Sequence, residues 1–467
     1  MNSTPRGDSG SFRDRNGRVY LAGERVLRGL SAEALDNFRK LEGADFYRKL
    51  QETGEVVASR ETSQPDPLPD DADWAGWLEH DPIDFISYPY EWSFGMLRDA
   101  ADLQLRILEA ALAQGWTLKD ASPYNIQFQA GKPVFIDLPS FEPAGNSPWV
   151  GYRQFCEMFL FPLMLQAYRG LDFQPLLRAR IGGIGVQQMA ALMGVRDRLR
   201  AGVLTHVWLQ AMLERRYQST DRNVRAELDS AGFSRELVIA NVRRMRKLVG
   251  RLEWRAAASE WSDYASCHNY SDEDVAAKQD FVSQAVQSCV PKRVWDLGCN
   301  TGAFAAIAAG HCRNVVAMDA DHLAVERLYR NRAIMDTGQV LPLVQNIADP
   351  SPDWGWNLSE RRALAARGTP DLVLCLALLH HLVIGANIPL TEVMDWLAKL
   401  SPHIVIEFVG RDDEKVETLL RNRPDPCHDY QLAAFESSLA RHFRIEQSQE
   451  LSGGRRRLYF CKRHDVE

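Results

Sequence analysis

Short apolar runs separated by turns dominate the C-terminal half of the chain. The run from Val294 to Leu297 enters a bend of small residues, Gly298 to Gly302. An Ala-rich segment, Ala303 to Ala309, and a second apolar run, Val315 to Met318, follow the bend. Because a strand, a helix and a second strand in this order form one unit of a parallel sheet, the pattern predicts an α/β domain.

Five later segments are expected to extend this sheet to seven strands of a Rossmann-like domain. One of them, Asp371 to Ala377, is nearly all apolar, as expected of a strand that is covered on both faces. The last two are joined through Gly453-Gly454, which predicts a terminal hairpin. The five are the run beginning at Leu341, Asp371 to Ala377, Ile404 to Phe408, Phe443 to Glu446 and Arg457 to Cys461.

The N-terminal half has a less regular pattern. Residues 1–17 are rich in Ser, Gly, Asp and Arg, a composition typical of disordered segments. Helical periodicity is strong from about Leu97 to Ala113, and helical patterns follow one another from Phe173 to about Ala258. We therefore predict a disordered N-terminus (1–17), an α+β domain (18–170), a helical connector (171–258) and the α/β domain (259–467).

Composition limits the possible functions of the chain. Its 467 residues exceed one ordinary core, so more than one domain is expected. A net charge of -7 argues against general binding to nucleic acids or acidic membranes. No apolar run is long enough to span a bilayer. The eight cysteines include no C-x-x-C pair, which suits reduced thiols, and we expect a cytoplasmic protein.

The bend after the first strand is the main candidate for ligand binding. Glycines let a backbone approach a ligand closely, and Asn300 tolerates a left-handed conformation. The spacing lacks the third glycine of dinucleotide-binding loops, and Asp296 precedes the first glycine. Because a carboxylate attracts a cation, a ligand such as S-adenosyl-L-methionine (SAM) fits better than a pyrophosphate. Asp319, about 20 residues after the bend, is placed to accept hydrogen bonds from ribose hydroxyls.

These residues resemble motifs I and II of the class I SAM-dependent methyltransferases. The resemblance implies a cofactor site along the sheet edge, in which Asn346 meets the adenine and Lys278 meets the methionine carboxylate. Packing for Tyr270 and a surface position for Lys278 are open alternatives, and so is a Rossmann-like unit that binds a nicotinamide cofactor or none. The expected cofactor-binding residues are Asp296, Gly298, Cys299, Asn300, Gly302, Asp319, Ala320, Asn346, Ile347, Ala377, Tyr270 and Lys278.

Two histidines, His380 and His381, follow the fourth strand at the end that faces the reactive part of a cofactor. One neutral imidazole there would take a proton from an oxygen or nitrogen nucleophile. The alternative is that a histidine packs or caps the next helix. The same tip lacks the Asn/Asp-Pro-Pro-Tyr/Phe and Pro-Cys elements of enzymes that methylate nucleic-acid bases. We therefore expect a small-molecule acceptor and no metal.

The segment from His380 to Gly385, with Asn387 to Leu390 and the loop from Trp356 to Arg361, is similar to bacterial nodulation-protein-type methyltransferases. This closer resemblance extends over the chain. It implies methyltransferase activity and carries little information about the acceptor.

A second motif lies in the N-terminal half. Asp120, Asn125 and Asp137 resemble the catalytic loop and the metal-binding aspartate of the protein-kinase and aminoglycoside-phosphotransferase fold, which would hold a nucleotide and magnesium. Leu118 stands where that loop carries a histidine, and a Gly-rich phosphate loop is missing. The alternatives to the methyltransferase alone are a bifunctional protein with an ATP-dependent phosphotransferase, and a non-catalytic SAM-binding scaffold. The three residues also fit a degenerate kinase-like lobe, or simple turn caps.

Overall fold

The computed structural model describes residues 4–69, 73–145, 148–218, 234–255, 271–421, 430–451 and 453–465. The chain divides into two compact units. The first unit contains Met1–Ala256 and Asp353–Arg361, and the second contains Ala257–Pro352 and Arg362–Glu467.

The first unit begins with a five-stranded antiparallel sheet in the order β1-β2-β3-β5-β4. Its strands are β1 (Arg6–Gly7), β2 (Gly17–Ala22), β3 (Arg25–Leu30), β4 (Ser59–Thr62) and β5 (Gly76–His80). Between β3 and β4 lie α1 (Ala32–Glu42) and α2 (Asp45–Glu52). The side chain of Ser31 caps α1 by accepting a hydrogen bond from the Ala34 amide, which satisfies one of the unpaired donors at the start of the helix.

The rest of the first unit is mostly helical. Two small two-stranded sheets pair β6 (Trp116–Leu118) with β9 (Phe141–Pro143), and β7 (Ile126–Gln129) with β8 (Lys132–Phe135). The helices are α3 (Phe94–Ala113), α4 (Tyr152–Phe155), α5 (Phe161–Arg169), α6 (Gln174–Ala179), α7 (Val186–Leu192), α8 (Leu209–Gln218) and α9 (Arg235–Val249). Two π-helical segments, Cys156–Leu160 and Leu204–Trp208, precede α5 and α8. The predicted α+β and helical regions of the N-terminal half thus cluster in one unit.

The N-terminal segment differs from the predicted disordered tail. Arg6–Gly7 pairs with β2, and Arg13 donates two hydrogen bonds to Glu360, at 2.6 and 2.8 Å. Glu360 is buried, so the guanidinium supplies the charge partner that a buried carboxylate needs. Because Glu360 is more than 300 residues away in the sequence, the polar composition of residues 1–17 contains no trace of this pairing.

The second unit contains a seven-stranded sheet in the order β12-β11-β10-β13-β14-β16-β15. The first five strands in this order are parallel, and β16 runs antiparallel to both of its neighbours. The strands are β10 (Arg293–Leu297), β11 (Asn314–Asp319), β12 (Val340–Val344), β13 (Leu372–Cys375), β14 (His403–Val409), β15 (Phe443–Glu450) and β16 (Arg456–Arg463). The α/β class predicted for this half is confirmed.

Helices accompany the sheet. They are α10 (Asp272–Cys289), α11 (Ala303–Ala309), α12 (His322–Arg330), α13 (Arg332–Met335), α14 (Leu390–Leu400), α15 (Glu414–Leu420) and α16 (Leu432–Ala440). A π-helical turn, His381–Gly385, follows β13. The helices α12 and α13 are separated at Asn331, whose backbone is extended.

The strand order creates a place for a ligand. From β10 the chain proceeds outward to β11 and β12, and then returns to β13 on the other side of β10. In open α/β sheets, a crevice forms at the carboxyl ends of the strands where the order reverses. The loops after β10 and β13 therefore flank the expected site. Across the described ranges, no helix combines the length and the apolar character that crossing a membrane requires.

The end of α10 offers a test of backbone strain. Val290 ends this helix in a left-handed conformation (φ 44°) and is 76% exposed. A left-handed conformation costs an L-residue about 1–2 kcal/mol, whereas glycine adopts it freely and gains about 0.4–1 kcal/mol of chain entropy on unfolding. We expect Val290→Gly to stabilise the protein by roughly 0.5–1 kcal/mol, measured as a higher urea midpoint.

Ala276 provides the matched control, because it is exposed inside the same helix. Ala276→Gly should destabilise the protein by about 1 kcal/mol. Equal destabilisation by both substitutions would contradict the strain at Val290.

Candidate functional site

A cavity of about 560 Å³ lies at the carboxyl edge of the sheet in the second unit. Its walls come from α10, the bend after β10, the ends of β11 and β12, and the turn after β13. The lining residues include Val275, Lys278, Gln279, Asp296, Gly298, Cys299, Asn300, Thr301, Phe304, Asp319, Ala320, Gln345, Asn346, Ile347, Ala348, Leu376, Ala377, Leu378, His381 and Leu382. The structure thus brings together most of the site residues that the sequence predicts.

The bend after β10 has the backbone geometry expected of it. Gly298, Asn300 and Gly302 all have positive φ angles, 74°, 49° and 86°. The amides of Gly298 and Cys299 both donate to the carbonyl of Met318 on the neighbouring strand, at 2.8 and 3.0 Å. These bonds fix the bend against β11.

Gly302 is not among the described residues that line the cavity, in contrast to the prediction. A Cβ added at Gly302 would lie 2.4 Å from the Leu328 side chain, whereas one at Gly298 would meet its nearest neighbour, Leu378, at 3.4 Å. Gly302 is therefore required for packing and for its positive φ. Gly298 is the glycine that borders the cavity.

Asp319 ends β11 and ties the bend to that strand. One of its carboxylate oxygens accepts from the Asn300 amide at 2.7 Å, and the other from the Asp321 amide at 2.8 Å. Burial raises the pKa of Asp319, and these amides oppose the increase. The carboxylate thus shapes the bend, and each oxygen keeps a second lone pair for a ligand.

Asp296 is the least satisfied carboxylate of the cavity. It is 2% exposed, and its Oδ2 atom is buried without a hydrogen-bond partner among the described residues. Burial, followed by the nearby charge of Asp319, raises the pKa of Asp296 to about 7. A buried carboxylate without a partner is costly, so this position favours a ligand that brings a positive charge or a donor.

Lys278 projects from α10 into the same cavity, and the predicted surface alternative is wrong. It is 4% exposed, and its ammonium donates to Glu407 at 2.6 Å. The ammonium also lies 4.9 Å from the centre of the Phe304 ring. Val275 and Gln279 line the cavity from the same face of α10. Val275 precedes Lys278 by three residues and Gln279 by four, and this helical spacing could have identified them from the sequence.

The end of β12 contributes a polar stretch to the cavity wall. Asn346 and Ile347 line the cavity, and Asn346 accepts a hydrogen bond from the Ala348 amide at 3.0 Å. Asp349 is not among the described lining residues. Tyr270 lies outside the described residues.

The two histidines occupy different positions. His381 lines the cavity, whereas His380 is 1% exposed and is not among the described lining residues. In the described part of the chain, neither ring nitrogen of His380 has a hydrogen-bond partner. Burial, together with the charge of Lys415, lowers the pKa of His381 to about 4, and burial also lowers the pKa of His380. Both imidazoles are therefore neutral near pH 7, and only His381 faces the cavity.

In the first unit, the predicted nucleotide-binding residues come together differently. Asp137 pairs with Arg28 at 2.8 Å, and its other oxygen accepts from the Asn125 amide group at 3.4 Å. Burial, followed by the charge of Asp137, raises the pKa of Asp120. Among the described residues, no cluster of three or more His, Cys, Asp or Glu side chains could hold a metal ion. Because the Arg28 guanidinium already pairs with Asp137, a second cation at this carboxylate is disfavoured.

Comparisons with known proteins identify a relative over nearly the whole chain. No protein-family model matches the chain. The chain is 31% identical to the nodulation protein NoeA of Rhizobium meliloti (strain 1021) over 460 residues, which cover 98% of this chain and 96% of NoeA.

Two solved structures also resemble part of the chain. The N-methyltransferase NodS of Bradyrhizobium japonicum WM9 is 12% identical over 42% of this chain and 98% of its own, with a TM-score of 0.31. The magnesium protoporphyrin IX methyltransferase ChlM of Synechocystis PCC 6803, with bound S-adenosylhomocysteine (SAH), is 18% identical over 41% of this chain and 84% of its own, with a TM-score of 0.31. Scores this low carry no weight here.

The identity to NoeA over nearly the whole of both chains is the finding that decides the family. The chain therefore belongs to the family of the nodulation protein NoeA.

Proposed function

We propose that the protein transfers the methyl group of SAM to an oxygen or nitrogen atom of a small-molecule acceptor. The observation that carries this proposal is the buried Oδ2 atom of Asp296, which lies beside the glycine bend without a partner among the described residues. An anionic pyrophosphate would add repulsion at this carboxylate. A cationic ligand would supply the missing charge.

The cavity matches the charges at the amino-acid end of SAM. Asp296 suits its ammonium and sulfonium groups, and the Lys278 ammonium suits its carboxylate. Both side chains are buried, so their interactions with a ligand are weakly screened by water. Placing the anionic and cationic side chains on opposite ligand charges also selects the orientation of the cofactor.

The remaining lining residues suit the nucleoside. Asp319 is proposed to accept hydrogen bonds from the ribose hydroxyls, with Ala320 beside it. Asn346 and the Ile347 amide are proposed to meet the adenine edge. Cys299, Asn300 and Ala377 would bound the cofactor through their backbones, because the bend has its positive φ angles here and Ala377 has φ 50°.

The chemistry is a displacement at the sulfonium methyl, which SAM supplies when bound. The protein's part is to align the acceptor and exclude water. His381 is proposed to accept the proton of the attacking hydroxyl or amine, because its imidazole is neutral and faces the cavity. Leu376, Leu378 and Leu382 line the same end of the cavity and would keep water out.

A non-catalytic scaffold is the main alternative. It shares the cofactor site and differs in having no acceptor. The neutral, cavity-facing His381 favours the enzyme. Transfer of radiolabelled methyl from SAM into a fractionated metabolite extract would exclude pure scaffolding, and mass spectrometry of the labelled fraction would identify the acceptor.

The first prediction concerns Asp296 and pH. Because a bound cation favours the ionised carboxylate, SAM binding should release a proton, and SAM affinity should rise by up to about tenfold per pH unit as the pH approaches about 7. Asp296→Asn should weaken SAM binding by about tenfold or more and flatten this dependence. Calorimetry in two buffers of different ionisation enthalpy measures both the affinity and the number of protons released.

Gly298→Val is the companion variant, since its side chain would enter the cavity. It should remove SAM binding and leave the far-ultraviolet circular dichroism unchanged. Unchanged SAM affinity in both variants would refute the assignment of the cofactor site.

The second prediction separates the two histidines. His381→Ala should lower methyl transfer by about 10²- to 10⁴-fold, because a general base is lost, while SAM affinity changes little. His380→Ala should affect folding stability more than transfer, because His380 lies behind the cavity wall. His442→Ala serves as a matched control, since His442 pairs with Asp395 and is not among the described lining residues. Loss of transfer in the His380 variant alone would reverse the assignment.

The third prediction concerns the phosphotransferase alternative. That hypothesis requires magnesium-dependent ATP turnover that Asp137→Ala abolishes. Because the Arg28 guanidinium already neutralises Asp137, we expect the natural chain and the variant to show the same background turnover. Turnover in the natural chain that the variant loses would establish a second activity.

A further inference from the structure

A chain of four buried charges runs from the cavity into the interior of the second unit. Lys278 donates to Glu407 at 2.6 Å, and the other oxygen of Glu407 lies 3.5 Å from Arg456. Arg456 also donates to Asp413 at 2.8 Å. All four side chains are less than 8% exposed, and Glu407 is fully buried.

Four buried charges contribute little net stability, because their desolvation offsets their mutual attraction. Each buried charge loses its hydration, and well-packed apolar side chains of similar volume are often equally stable. The four residues come from α10, β14, β16 and the position just before α15, so four separate elements must be placed to form the chain. A functional reason is therefore required at the one end that is open to a ligand, which is Lys278.

We infer that Glu407 is a positioning residue for methyl transfer, because it holds the Lys278 ammonium at the place where the carboxylate of SAM binds. This inference rests on the proposed function, in which Lys278 meets that carboxylate. A lysine side chain has a flexible four-carbon stem, and an unanchored ammonium would turn toward water. An ammonium has three N–H donors, so its bond to Glu407 is compatible with a bond to a ligand carboxylate.

Arg456 provides a second positive charge beside Glu407. A lysine and a glutamate alone would form a neutral pair with little attraction for an anion. With Arg456 on its other oxygen, Glu407 is shared between two cations, so only part of its charge is directed at Lys278. Asp413 in turn holds Arg456, and it also caps α15 by accepting from the Lys415 amide at 3.0 Å.

The experiment compares SAM with decarboxylated SAM, which keeps the sulfonium and ammonium groups and lacks the carboxylate. Calorimetry on the full chain should show that the natural protein binds SAM more tightly. Glu407→Gln should weaken SAM binding by about tenfold and leave binding of decarboxylated SAM within about twofold, because only the carboxylate contact is lost. Glu407→Asp, which keeps the charge, should restore part of the preference.

Removing one partner of a buried pair can prevent folding. The double substitution Lys278→Met with Glu407→Leu therefore provides a second variant, because two apolar side chains replace the pair. It should fold, shown by an unchanged circular dichroism spectrum, and it should bind the two compounds equally. If this variant or Glu407→Gln keeps the natural preference for SAM, or loses affinity equally for both compounds, the positioning role is refuted.

The proposed function and the role of Glu407 would be refuted by different results. If the natural protein bound neither compound, the proposed function itself would be wrong. If the natural protein bound both compounds with equal affinity, Lys278 would not meet the carboxylate. The role of Glu407 would then be refuted, and the assignment of the cofactor site would remain supported.

Discussion

The structure of the site depends on the position of one carboxylate at the end of a fully covered strand. Asp296 follows apolar residues of β10, which lies between β11 and β13 in the middle of the sheet. Its side chain is only 2% exposed, so its charge must be compensated mainly by its surroundings. The glycines of the bend, the amides around Asp319 and the Lys278 ammonium are all arranged around this position. A ligand with a positive charge completes the compensation.

The burial of charge at this site also explains why the polar residues around Asp296 have specific partners. Asp319 is anchored by two backbone amides, so it stabilises the bend without a cation of its own. Lys278 is anchored by Glu407, and its charge only partly offsets the increase in the pKa of Asp296. Asp319 and Lys278 are thus each held in position by other groups of the protein.

The sequence predicted the parts of this site that depend on local structure. The glycine bend, the strand-ending Asp319 and the histidine tip after β13 lie within short segments, where periodicity and turn residues indicate the backbone. It did not separate His381 from His380, because adjacent residues in a turn differ in burial only once the turn is packed. The pairs Lys278 with Glu407 and Arg28 with Asp137 join residues more than 100 positions apart, and no local pattern encodes them.

The segment Asp353–Arg361 has a consequence for how the protein is made. It belongs to the first unit, although β10, β11 and β12 of the second unit precede it in the chain. Domains usually fold in the order in which the ribosome releases them. Here Arg13 cannot meet Glu360 until three strands of the following sheet have been synthesised. The first unit therefore remains incomplete until the segment Asp353–Arg361 has been translated.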